Sequence, residues 1–326
     1  MKWFSNNYPG AGCDIPSVNY QYSWRPTTWS QYYSSSREIW GYLKEVEQEN
    51  NFVNKYVKLR HEIMAAQWDE AAGQWVIRVK DIEGGKESED RAEVFINAGG
   101  VLDNWKWPDI EGFGTFQGKL MHTANFDNSI DLTGQRVAVI GCGSSGVQCI
   151  AAIQNRVSKL YTWVRSPIWI TAGFAQKFAG KDGANFSYSE QQKQWLRDNP
   201  DKYLEYRKVI ESELNQRFKF IIKGSPAAEE ARTFSENEMR QKLKQDPRLI
   251  DKVIPKDFNV GCRRPTPGNG FLEALTASNT TCFTDPIGKI IPKGFVDHQG
   301  NEHEVDAIIC ATGFDTSWQV FRSPAM

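Results

Sequence analysis

Apolar positions in this chain follow two regimes. From Val137 to Ile140 they run unbroken, the pattern of a strand buried on both faces. A glycine-rich turn follows, Gly141-Cys142-Gly143-Ser144-Ser145-Gly146, and then helical spacing carries on to about Asn155. A second apolar run, Leu160 to Val164, completes a β-α-β pattern, which predicts a parallel pair joined by a right-handed crossover. Upstream, Ser36 to Glu49 puts Ile39, Leu43 and Val46 on one helical face. Asn51 to Asp81 reads as a β-meander, with strands at Val57–Arg60, Ile63–Trp68 and Gln74–Val79, the last two flanking the turn Asp69-Glu70-Ala71-Ala72-Gly73. Glu93 to Ala98 reads as a buried strand ending in Gly99-Gly100. Residues 1–36 show neither period and read as loop, and Trp105 to Phe126 reads as a proline- and glycine-punctuated connector.

From 168 to 256 the character changes. Gln191 to Phe220 and Ser235 to Lys244 carry helical spacing with many charges and no strand signal, so an inserted helical subdomain is expected. Ser235 and Glu238 have capping-box spacing, which predicts a helix start there. The α/β pattern then resumes, with a short helix at Phe271–Ala277 and strands near Thr281–Phe283, Lys289–Ile291 and Gly294–Val296. A last buried strand, Val305–Cys310, ends in Ala311-Thr312-Gly313-Phe314-Asp315. The fold class expected is α/β.

Composition narrows the chemistry. The 326 residues carry a net charge of -1, so nothing electrostatic points to nucleic acid or to an anionic membrane. The four His and six Cys are scattered without a CxxC or HExxH, so no metal site is expected, and the cysteines read as reduced thiols of a cytoplasmic protein. No apolar run reaches membrane-spanning length, and Met1 to Asn7 is not a signal peptide.

The glycine turn is the chemical centre of the chain. A strand precedes it and a helix follows, which is the context a dinucleotide needs. Gly141 permits the tight turn, Gly143 lets a pyrophosphate approach the backbone, and Gly146 lets helix and strand pack closely. Ser144 and Ser145 open the helix, whose N-terminus faces the phosphates. An NAD site places Asp or Glu at the end of the second strand, whereas here Arg165-Ser166 stands there. A guanidinium and a hydroxyl suit a 2′-phosphate, so NADP is favoured over NAD.

Five spaced motifs then carry a resemblance: Tyr8-Pro9-Gly10-Ala11-Gly12-Cys13-Asp14, Phe116-Gln117-Gly118-Lys119-Leu120-Met121-His122-Thr123-Ala124-Asn125-Phe126-Asp127, the glycine turn, Gly261-Cys262-Arg263-Arg264-Pro265, and Ala311-Thr312-Gly313-Phe314-Asp315. In this order they resemble the class B flavin monooxygenases, and most of all the Baeyer–Villiger monooxygenases of fungal secondary metabolism. The resemblance implies two Rossmann-like dinucleotide-binding domains, one for FAD and one for NADPH. It further implies that NADPH reduces the flavin, that O2 adds to it, and that the resulting C4a-peroxide attacks a ketone. Heteroatom-oxidising relatives oxidise a nitrogen or sulfur instead. By position, Arg264 looks like the family's active-site arginine and Asp14 like its acidic partner, both catalytic. Arg263 looks like a contributor to the 2′-phosphate site beside Arg165 and Ser166, and Asp14, Thr312 and Gly313 are further cofactor-side residues. Phe116, Gly118, His122, Phe126 and Asp127 look like hinge residues joining two nucleotide domains, with His122 structural. Without the resemblance, Arg263-Arg264 reads as a surface basic doublet and Asp14 as a turn cap.

The domain division implied is 1–128 for part of the FAD domain, 129–167 and 257–309 for the NADP domain, 168–256 for the helical insertion, and 310–326 for a return to the FAD domain. The sequence departs from the family in four ways. It shows no second GxGxxG, Ala98-Gly99-Gly100 replaces the usual Ala-Thr-Gly, Phe126 replaces the tryptophan of the strict Baeyer–Villiger motif, and only 11 residues follow Asp315 where the family continues with more of the FAD domain and substrate pocket. The FAD domain is therefore expected to be incomplete and to hold flavin weakly or not at all. Three functions stay open: ketone oxygenation, N- or S-oxidation, and a non-catalytic NADP-binding protein. A simple NADP dehydrogenase is disfavoured, because no Tyr-x-x-x-Lys pair follows the glycine turn. Neither the substrate nor the oligomeric state is legible.

Overall fold

In the computed structural model the chain is described at residues 2–171, 173–263 and 265–317. It packs as two units, Met1–Tyr42 with Lys106–Gly313, and Leu43–Trp105 with Phe314–Met326.

The first unit opens with a short helix α1 (Lys2–Ser5) and then loops to α2 (Ser36–Asn50), in which the division between the units falls. The loop character expected for residues 1–36 is borne out. The loop is nonetheless ordered by side chains: Ser17 Oγ donates within 2.9 Å of the carbonyls of Gln31 and Tyr32, and Trp29 and Tyr32 are buried.

The second unit holds α3 (Phe52–Tyr56) and an antiparallel meander of β1 (His61–Asp69), β2 (Gln74–Asp81) and β3 (Glu87–Ala92). Two strand expectations fail here. Val57–Arg60 is not a strand, because Arg60 takes a left-handed φ of 60° and turns the chain into β1. Glu93–Ala98 is not a strand either. The third strand is instead the preceding polar run, which pairs with β2 from Trp75↔Ala92 to Lys80↔Glu87. No described strand pairs with 93–98, and Val94 and Ile96 stand 72% and 79% exposed.

Back in the first unit, five parallel strands form one sheet, in the order β4 (Lys119–His122), β13 (Ala307–Cys310), β5 (Arg136–Ile140), β6 (Lys159–Trp163) and β9 (Thr280–Phe283). Helix α4 (Ser144–Ile153) joins β5 to β6, so the expected β-α-β unit is present. β4 gives no strand signal of its own, since its four residues lie within the apparent connector.

The region 168–256 is largely helical, as expected, with α5 (Glu190–Asp198), α6 (Pro200–Gln216), α7 (Pro226–Lys242) and α8 (Pro247–Val253). It also contributes a strand without a sequence signal, β7 (Ile170–Thr171), paired with β8 (Thr266–Pro267). The cap expected at Ser235 is wrong. Ser235 is buried in the middle of α7, and the true start is Ser225, whose Oγ accepts from the Ala228 N–H ahead of Pro226. Proline at the first helical position loses no hydrogen bond, and its fixed φ suits the helix, so Ser-Pro is the stronger start signal.

The remaining elements are α9 (Phe271–Leu275), β9 (Thr280–Phe283), the hairpin β10 (Lys289–Ile291) and β11 (Gly294–Val296), β12 (Glu302–Glu304) and β13 (Ala307–Cys310). One face of the parallel sheet packs Val137, Val139 and Ile309 against α4 and α9 through Val147, Ile150, Phe271 and Leu275. The other face packs Ala138, Ile308 and Trp163 against Ile290 and Phe295 of the small β10-β11-β12 sheet. Arg136 ties the starts of β5 and β13 together. Its Nη2 and Nε donate to the two carboxylate oxygens of Asp306 at 2.7 and 3.2 Å, and its backbone N–H donates to the same group at 2.8 Å. The guanidinium beside Asp306 holds that carboxyl below the usual range.

Candidate functional site: a glycine turn at the sheet's carboxyl edge

β5 ends at Ile140, and the chain reverses at Gly141 with φ 112°, a conformation that strains any residue with a side chain. A Cβ there would lie 2.4 Å from the Ala311 carbonyl oxygen, and one on Gly146 would lie 2.0 Å from the Gly141 carbonyl oxygen. These two glycines therefore close the turn against its own helix and against the end of β13. Gly143 differs: a Cβ there would meet nothing within 4 Å. It is the N-cap of α4, contributes no side-chain cap, and leaves room above the first turn of a ten-residue helix. Exposed Ser144 and half-buried Ser145 follow it. Backbone N–H groups and open space at the positive end of a helix can receive a phosphate.

Arg165 and Ser166 leave β6 on the exposed side of this turn. The Arg165 backbone N–H reaches the Cys142 thiol. Burial pushes that thiol up, and the Arg165 contact offsets part of the rise. The Arg165 backbone thus lies beside the glycine turn, and its charge also acts on the Cys142 thiol. Arg263 is also exposed, but its guanidinium lies 5.1 Å from the centre of the Phe258 ring, and no described contact joins it to Arg165. Arg264 lies outside the described residues.

Asp14 is half-buried, and its carbonyl accepts from the Phe174 N–H at 3.3 Å. It lines a cavity of about 310 Å³ with Tyr33, Gln148, Asn185 and Asn269. Two contacts that sequence reasoning misses place it. The Tyr8 hydroxyl donates to Gln148 Oε1 at 2.8 Å, and Gln148 Nε2 donates to the Gly12 carbonyl at 3.1 Å. Gly10 makes this docking close, since a Cβ there would sit 2.6 Å from the Gln148 carbonyl oxygen. The Tyr8-to-Asp14 turn is thereby fixed to the helix that starts at the glycine turn. The signal available in the sequence is Gln148, a polar residue on the otherwise apolar stretch from Val147 to Ile153.

In the motif from Phe116 to Asp127, Gly118, His122 and Phe126 sit in close packing, whereas Asp127 is exposed. A Cβ on Gly118 would meet the Phe116 ring at 2.4 Å and the Asp306 carbonyl oxygen at 2.7 Å. Phe126 is buried in the core against which α4 packs, and Asp127 Oδ1 accepts from the Ser129 N–H and hydroxyl. His122 is fully buried at the end of β4, with Trp107 edge-on at 6.0 Å. Its Nδ1 accepts from the Ala124 N–H at 3.1 Å, which leaves Nε2 to carry the proton toward the Thr312 hydroxyl. Burial lowers its pKa to about 4, so it is neutral at pH 7. Thr312 is exposed, and Gly313 takes a φ of 84°. Among the described residues no group of His, Cys, Asp and Glu could hold a metal ion, and no helix is long and apolar enough to cross a membrane.

Comparison with known proteins agrees with this geometry. Residues 22–236 match the model of the flavin-binding monooxygenase-like family. The chain is 38% identical over 318 residues to the FAD-binding monooxygenase tazF of Aspergillus terreus, covering 97% of this chain and 56% of the relative. It is 31% identical over 313 residues to a Baeyer-Villiger monooxygenase of Pseudomonas aeruginosa, covering 96% and 56%. Crystal structures of cyclohexanone monooxygenase superpose on it at 26% identity. The epsilon-caprolactone-bound one has a TM-score of 0.76 and covers 96% of this chain and 66% of that chain. The NADP+-bound one from Rhodococcus sp. Phi1 has a TM-score of 0.74 and covers 96% and 63%. The chain spans about half the length of the curated relatives it matches. With the α/β fold, the ordered motifs and a matching family model together, this chain belongs to the flavin-binding monooxygenase-like family.

Proposed function

We propose that the chain carries the NADP(H) site of an FAD- and NADPH-dependent monooxygenase of Baeyer–Villiger type, which places one oxygen of O2 next to a ketone. The observation that carries the reading is the glycine turn. Its two tight glycines, the open position at Gly143 and the neighbouring Arg165 fit a dinucleotide with a 2′-phosphate. In this reading the α4 N–H groups hold the pyrophosphate, Arg165 and Ser166 hold the 2′-phosphate with help from Arg263, and Arg264 pairs with Asp14 next to the nicotinamide. Residues 129–167 and 257–309 form the NADP domain, 168–256 an insertion within it, and 1–128 with 310–326 the FAD side. Likeness to a Baeyer-Villiger enzyme and to cyclohexanone monooxygenases favours a ketone over an amine or thioether.

Bound flavin would supply the activation of O2. The described residues offer one glycine-turn cradle, which NADP takes in this reading, and they do not form a second one that fits FAD. A second reading is NADP(H) binding without oxygen chemistry. The two separate in an oxygen electrode with FAD in large excess, to drive weak flavin binding: NADPH-dependent O2 uptake with a cyclic ketone supports the first, and calorimetric NADPH binding with no uptake at any FAD concentration supports the second.

A further inference from the structure

We propose that the helical insertion holds a second small-molecule site, for an uncharged, flat aromatic compound bearing a carbonyl group. A cavity of about 700 Å³ lies between the segment at Phe186–Tyr188 and the α5–α6 pair, walled by Phe186, Tyr188, Trp195, Leu196, Tyr206 and Val209. That volume is within the range of small-ligand sites. It shares no lining residue with the glycine turn or the Asp14 cavity, so the proposal does not rest on the monooxygenase reading.

The walls are held in place before any ligand arrives. Phe186 stacks on fully buried Tyr32 with centroids 5.2 Å apart, and meets Tyr188 edge-on at 5.0 Å. Helix α5 is fixed by a complete capping box, in which Ser189 accepts from the Gln192 N–H and the Gln192 side chain accepts from the Ser189 N–H. Trp195 and Val209 are 52% exposed each, so a ligand here would cover large apolar surfaces at little conformational cost.

Besides the carboxamides of Gln191 and Gln192, the lining carries two phenols. The Tyr188 and Tyr206 hydroxyls lie 3.0 Å apart. One donates to the other, so of their two protons one is spent and the second has no described acceptor. Burial raises both phenols, so both keep their protons at neutral pH. A spare O–H inside aromatic walls calls for a carbonyl oxygen on a flat ring system. The charges at the rim, Lys202 and Glu205, pair with each other at 2.9 Å, so the lining carries no net charge.

Equilibrium dialysis with 2-acetylnaphthalene and its carbonyl-free counterpart 2-ethylnaphthalene tests this. One equivalent of the ketone should bind, about tenfold more tightly than the ethyl compound. The double variant Tyr188→Phe, Tyr206→Phe keeps the walls, and should bring the ketone down to the affinity of the ethyl compound while leaving the latter unchanged. Val209→Trp, at an exposed position, should fill the cavity and abolish both. Equal affinities of the two probes for the unmodified chain, or undiminished binding in Val209→Trp, would overturn the proposal. So would sedimentation showing a dimer that Val209→Trp dissociates, which would make the occupant a second copy.

Discussion

The imidazole of His122 lies 3.4 Å from the Thr312 hydroxyl, across 190 positions of sequence. This contact joins the end of β4 to the loop that follows β13, and the ring that makes it must stay neutral for its Nδ1 to accept from the Ala124 N–H. With its pKa lowered to about 4 from 6.5, the folded state binds fewer protons than the unfolded chain between those values. The stability His122 brings is therefore complete above about pH 6.5 and drains away as pH falls toward 4, by about 2–3 kcal/mol at most. Urea midpoints measured from pH 7 to pH 4 should fall, and His122→Gln should flatten that slope. An unchanged slope in the variant would place the acid sensitivity elsewhere.

The three glycines of the turn should separate by phenotype. Gly141→Ala and Gly146→Ala push a methyl into backbone atoms and should each cost about 2–4 kcal/mol. Gly143→Ala has open space and should leave Tm within a degree or two, yet weaken NADPH at least tenfold by blocking the approach of the pyrophosphate. Calorimetric titration alongside thermal melts distinguishes the two classes, and normal NADPH affinity in Gly143→Ala would contradict the site.

Arg165 is exposed, so Arg165→Ala should not alter the melt. It should weaken NADPH by about tenfold and NADH hardly at all, since a charge-assisted bond to the 2′-phosphate is worth about 1.5–3 kcal/mol. Equal losses for both nucleotides would assign Arg165 to the pyrophosphate or to neither.

Purified chain should elute without stoichiometric flavin, because a single glycine turn serves one dinucleotide. A yellow preparation with one FAD per chain by absorbance would defeat this expectation.

The β-α-β centre is legible in the sequence because two local signals agree there: an unbroken apolar strand, and glycines at the required spacing. What stays hidden depends on partners remote in sequence. β4 is four residues inside a connector, and only β13 makes it a strand. The run at 93–98 looks like a core strand from its own residues, yet no described strand pairs with it, whereas the polar run Glu87–Ala92 is a strand because β2 offers a free edge. Ser235 has the right neighbours for a cap, but α7 already begins at Ser225-Pro226. The Asp14 loop is readable as a motif, while its fastening by Tyr8 and Gln148 requires the folded helix.

The strand order also constrains how the sheet is assembled. β13 sits between β4 and β5, and the Arg136–Asp306 pair that aligns it spans 170 residues. During synthesis β5, α4 and β6 leave the ribosome early and can pair locally. The flank of β5 then stays open until residue 310 emerges, after the entire helical insertion. Closure of so long a loop around the central strand should dominate the folding time, and until then the growing chain presents an apolar strand edge suited to chaperones or to aggregation.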